Sequence, residues 1–66
     1  MRNELLKSIK FGDILEMIYV DANDGISKRR IKVLQVGEVS FRAYCYLRKS
    51  NRTFRIDNIL ALIPVT

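Results

Sequence analysis

From Val39 to Arg48 the chain alternates without a break. Val39, Phe41, Ala43, Cys45 and Leu47 form one row; Ser40, Arg42, Tyr44, Tyr46 and Arg48 form the other. Only a β-strand places every second side chain on one face. Register is strongly specified as well, because a slip of one residue would bury the arginines and expose Phe41. The sheet that holds this strand must have one apolar face and one basic, aromatic face.

The neighbouring segments supply its partners. Ile14 to Val20 is rich in Ile, Val and Tyr. Both of its alternate rows are mostly apolar, so a strand over 13–21 is covered on most of two sides. Ala22-Asn23-Asp24-Gly25 follows, and an Asp-Gly pair between strand-like runs signals a hairpin. A second strand, over 27–36, sets Arg29, Ile31 and Val33 on one face and Arg30, Lys32, Leu34 and Val36 on the other. Gly37-Glu38 makes a tight connection into the third strand, predicted over 39–48, and Lys49-Ser50-Asn51 reads as a turn. A fourth strand, over 52–57, turns Phe54 and Ile56 inward and Thr53 and Arg55 outward, and Asp57-Asn58 begins a single helical turn. A closing strand over 59–65 carries Pro64 near its end, which marks an edge. Ahead of all five strands, Leu5, Leu6 and Ile9 fall on one face of a short helix over 3–10, with Asn3 as N-cap and Gly12 as stop.

One helix and five short strands in 66 residues predict a mainly β single domain. A chain of this length buries only ~60% of its unfolded surface, which disfavours an elaborate cleft and favours a binding module. A small, strongly bent sheet or barrel is the economical solution, since closure removes exposed edges.

Chemistry is bounded by what is missing. The chain has no histidine and one cysteine, Cys45. Zinc sites of the Cys/His type, histidine acid–base catalysis and an intramolecular disulfide are excluded. No Ser/His/Asp set, phosphate-cradling glycine loop or metal-ligand spacing occurs. The expectation is a non-enzymatic protein without metal or cofactor. Cys45 sits in the apolar row and reads as a buried small hydrophobe. The longest apolar run, Ile59 to Val65, is far below the ~20 residues needed to span a bilayer. The first residues lack the apolar core of a secretory signal. A cytoplasmic location without a membrane partner is expected.

Charge is unevenly placed. Ser27 to Arg55 holds nine Lys and Arg against one acid, Glu38, whereas Met1 to Ile26 holds three against five. The net charge of +5 hides this basic middle, whose natural partners are phosphates. The first candidate surface is the polar row Arg42, Tyr44, Tyr46 and Arg48. Residues on one face of a strand lie about 7 Å apart, a spacing comparable to that of unstacked nucleotides. Tyrosine rings stack on bases and arginines pair with phosphate. Arg52 and Arg55 are the second candidate, since like charges on paired strands call for an anion or a local acid such as Asp57 or Glu38. Lys28, Arg29, Arg30 and Lys32 make a secondary basic patch able to steer a polyanion. Each group also has a plainer reading: a solvated sheet face, tyrosines covered by the helix, or arginines neutralised within the fold.

The C-terminal half resembles a known family. Ala43-Tyr44-Cys45-Tyr46-Leu47-Arg48, then Arg52-Thr53-Phe54-Arg55-Ile56-Asp57-Asn58-Ile59, is similar to the second half of a WYL domain, with its A-Y-C-x-L-R strand and R-x-F-R-x-D-R-I segment. Leu5, Leu6 and Ile9 match that family's leading helix. Ile18-Tyr19, the turn at Gly25, and Arg30-Ile31 with Val33 match its first hairpin. Four positions depart from the pattern: Val39-Ser40-Phe41 stands where the family-naming Trp, Tyr and Leu are expected, and Asn58 where an Arg precedes the final Ile. The resemblance implies an Sm-like, SH3-type five-stranded barrel with an N-terminal helix, here free-standing. It also implies a bacterial regulatory role, in transcription or phage-related control, through binding of nucleic acid or a nucleotide-like ligand. The alternative is a protein-interaction or homo-oligomerisation module whose strand face meets a partner protein or a second copy.

Overall fold

The structure, a computed structural model, describes residues 1–23 and 25–65. Helix α1 (Arg2–Phe11) leads into strands β1 (Leu15–Val20), β2 (Ile26–Val36), β3 (Ser40–Cys45) and β4 (Ser50–Arg55). A one-turn 3-10 helix (Ile56–Asn58) and strand β5 (Ile59–Pro64) complete the chain. The strands form one antiparallel sheet in the order β4-β3-β2-β1-β5. The mainly β fold, the number of strands and the short N-terminal helix are those expected. Pro64 lies on an edge strand, and the helical turn includes Asp57 and Asn58.

The sheet curls until its two sides meet. β1 and β4 are not neighbours in the sheet, yet the Tyr19 ring lies edge-on to Phe54 at 5.2 Å. The Arg55 backbone N–H donates to Tyr19 Oη at 2.9 Å. These links make a small barrel-like fold. Its core is Leu5, Leu15, Met17, Tyr19, Ile31, Val33, Phe41, Ala43, Cys45, Phe54 and Ile59. Burying these side chains is the main favourable term, and a chain this short has little to spare.

Two β-bulges reset the faces predicted from simple alternation. Val33 pairs with Ala43 but Gln35 pairs with Arg42, so Leu34 is the extra residue. Beyond it Val36 stands opposite Phe41 and packs against the core instead of sharing the outer face of Lys32. A second bulge at Leu60 lets both Ile59 and Leu62 turn inward.

Other expectations shift for local reasons. β3 ends at Cys45, and residues 46–49 form the turn that was expected at 49–51. Lys49 adopts a left-handed φ of 54°, which completes the turn and lets Ser50 pair with Cys45. Leu47, inside that turn, is exposed, and so is Val39, which precedes β3 at the other end of the apolar row. Ile56 sits in the 3-10 helix rather than in β4, and is half-buried. In α1 the buried residues are Leu5 and Ser8, while Leu6 and Ile9 remain exposed. The helix contributes one large anchor, not a full stripe, and Ser8 Oγ is satisfied by the Leu5 carbonyl at 2.7 Å. Met1, not Asn3, is the N-cap, and its amino group pairs with Glu4 at 3.1 Å.

Gly12 ends the helix as expected, at φ +66°. Gly37 sits at a close approach: its N–H bonds the Ser40 carbonyl at 2.8 Å, and a Cβ there would meet the same oxygen at 3.1 Å, a tight contact. At the first hairpin Asp21 N–H donates to the Gly25 carbonyl at 2.8 Å. The aspartate of the expected Asp24-Gly25 pair lies outside the described residues. Among the described residues no helix is long and apolar enough to cross a membrane.

Candidate functional site

The pleat divides the basic residues between two faces. On β3, Phe41, Ala43 and Cys45 point into the core, so Arg42 and Tyr44 point outward. On β2, Ile31 and Val33 point inward, so Arg30 and Lys32 point outward beside them. The register sets Lys32 opposite Tyr44 and Gln35 opposite Arg42. Tyr46 lies in the turn just past β3, where its N–H donates to the Arg30 carbonyl at 3.0 Å. Its ring meets Tyr44 edge-on, with centroids 4.9 Å apart. One outer surface therefore carries Arg30, Lys32, Arg42 and the Tyr44–Tyr46 pair.

Two shallow hollows flank this surface. One of about 380 Å³ is lined by Ile14, Arg30, Tyr46 and Val65. It offers apolar walls, a ring and a guanidinium, a set suited to a planar anion-bearing ligand. The other, about 320 Å³, is lined by Gln35, Gly37, Ser40, Phe41, Arg42 and Thr53. Ile14 and Val65 carry no local sequence signal for a site. They meet because Val65 N–H donates to the Ile14 carbonyl at 2.9 Å where β5 ends beside the start of β1.

The remaining candidates are placed elsewhere. Arg48 lies in the exposed turn. Arg52 pairs with Ala43, which puts it on the core-facing row of β4, exposed and on the opposite side of the sheet from Arg42. Arg55 is outward but ion-paired with Asp57 at 3.7 Å. The fold thus separates Arg52 from Arg55, which the sequence places together. Lys28 is exposed and pairs with Glu16 at 3.7 Å. Among the described residues, Arg30, Lys32, Arg42, Arg48 and Arg52 form no ion pair.

Arg29 is the clearest departure from the basic patch, because it is only 6% exposed. Its guanidinium reaches Asp21 Oδ1 at 3.3 Å and Ser27 Oγ at 3.0 Å. It also lies 4.0 Å from Cys45 Sγ and 5.9 Å from the Phe54 ring centroid. Its position in the row with Ile31 and Val33 was the signal for this burial. Cys45 is fully buried, as expected. Burial is the largest influence on its thiol and raises the pKa. The N–H groups of Arg48 and Leu47, with the bond and charge of Arg29, outweigh it and hold the thiol below its ordinary value.

The chain has a likeness among solved structures. It is similar to one segment of a longer accessory factor. That protein is proteasome accessory factor B/C (PafBC) of Arthrobacter aurescens, matched at a TM-score of 0.88 and 25% identity over 96% of this chain. The chain spans 11% of the length of the accessory factor. No family model matches the chain, and no curated protein does.

Proposed function

We propose that this chain is a non-enzymatic, WYL-like regulatory module that binds a nucleic-acid-related anion on the outer face of β2 and β3. Arg30, Lys32 and Arg42 supply positive charge to phosphates, and Tyr44 and Tyr46 present rings to a base. Arg48, in the same turn as Tyr46, adds a further exposed cation. The observation that carries the reading is the Tyr44–Tyr46 pair held at 4.9 Å, with Lys32 opposite Tyr44 and the Arg30 hollow beside Tyr46. Aromatic platforms beside uncompensated cations are the usual means of holding single strands without reading sequence. The likeness to an accessory factor supports a regulatory role, and transcription or phage-related control is the process we assign to it.

The test is retention of a short single-stranded oligonucleotide across a salt series. The wild-type affinity should fall steeply as salt rises. Replacing Arg30, Lys32 and Arg42 together by Ala should weaken binding and flatten the log–log salt slope by about 2, since each lost phosphate contact removes ~0.7. Unchanged binding at low salt in that triple variant would refute the reading.

A further inference from the structure

A different surface carries an inference independent of the basic face. The sheet has two edges, β4 and β5, and they are unlike. β4 carries Arg52 and Arg55, and charge on an edge strand discourages pairing with another chain. β5 reads Ile-Leu-Ala-Leu-Ile-Pro, without a charge, and its Leu60 and Ile63 are 54% and 49% exposed.

The direction of the free backbone groups follows from one bond. Val65 N–H donates to Ile14 on the β1 side. Backbone groups alternate along an antiparallel strand, so Ile63 also faces β1, while Leu62 and Pro64 turn theirs to the open side. A proline is tolerated there because β1 loses no donor. Leu62 is then the position with both a donor and an acceptor available for another strand. On the core side, Leu62 and Pro64 share a cleft of about 160 Å³ with Leu15, Asp13 and the α1 residues Glu4, Lys7 and Ser8.

We propose that β5 pairs antiparallel with β5 of a second copy of this chain, about a two-fold axis at Leu62. The two Leu62 residues exchange N–H···O=C bonds. This register sets Ala61 of each copy opposite Ile63 of the other on the outer face, small against large. No charge faces a charge, which favours self-pairing here in a chain of net charge +5. The same operation at β4 would bring arginines together. Pairing through β5 also leaves β2, β3 and β4 of both copies free.

Sedimentation velocity of the full chain over a micromolar concentration series tests this. The wild type should dimerise. Ile63→Lys, whose new charge lies opposite Glu16 of its own β1, should weaken dimerisation at least about tenfold. A fold-independent arm mixes Ala61→Cys and Ile63→Cys chains under mild oxidation. The cross-strand geometry suits a disulfide, and Cys45 is too buried to compete. Cross-links should form between the two variants and not within either alone. A wild type that stays monomeric overturns the proposal and leaves β5 to a segment of another protein. A dimer indifferent to Ile63→Lys, or cross-links formed equally within each variant, also overturns it.

Discussion

The molecule uses arginine and tyrosine twice, once inside and once outside. Arg29 and Arg30 are adjacent in sequence, yet Arg29 is buried against Asp21, Ser27, Cys45 and Phe54, while Arg30 is exposed at the rim of a hollow. Tyr19 turns inward and its oxygen accepts the Arg55 N–H, while Tyr44 and Tyr46 pair on the outer surface. The contrast separates two uses of the same chemistry. Inside, each polar atom is satisfied by the chain itself and contributes to stability. Outside, Arg30 forms no ion pair among the described residues, and Tyr44 and Tyr46 meet each other rather than the core. Adjacent residues reach opposite fates because the pleat, with period two, decides the face.

The largest effect that would break this comparison is at Arg29. Arg29→Ala removes the partner of Asp21, empties space beside Phe54 and should cost about 3 kcal/mol by urea unfolding. The outer triple variant should lose no more than ~0.5 kcal/mol per site. Equal losses on both sides would erase the distinction. Tyr19→Phe comes next. It removes the acceptor for the Arg55 N–H and should cost about 1 kcal/mol, while Tyr44→Phe should be near neutral by the same measurement.

The smallest effect concerns Cys45. A thiol held below its ordinary value in the fold means that the unfolded chain binds more protons once the folded thiol begins to ionise. Stability should therefore rise with pH from the folded pKa up to the ordinary thiol range and level off above it. As pH falls through the folded value the contribution is lost. Thiolate absorbance followed against pH should show the lowered transition, and Arg29→Met should move it upward. A transition unmoved by Arg29→Met would remove Arg29 from its causes.

Much of the fold was legible because its cues are local. Alternation from Phe41 to Cys45 marked β3 and its inward face. Gly12 marked the helix end, Pro64 an edge, and Asp57-Asn58 a helical turn. The candidate site was legible only as a placement: Arg42 and Tyr44 share an outer face, and Tyr46 joins them from the turn. Arg52 did not join, because pairing with Ala43 fixes its face and that pairing depends on where the β3–β4 turn falls.

Composition and periodicity alone determined that this chain forms short strands with one apolar face, concentrates its positive charge in the middle, and lacks histidine chemistry. Tertiary structure decided which cations are spent inside. It also decided where the bulges at Leu34 and Leu60 reverse the faces, and that Ile14 and Val65 meet beside Tyr46. The physical reason is that alternation fixes a side chain only relative to its own strand. Burial, pairing and exposure depend on how the strands register and on where the curled sheet meets itself, and no single segment encodes either.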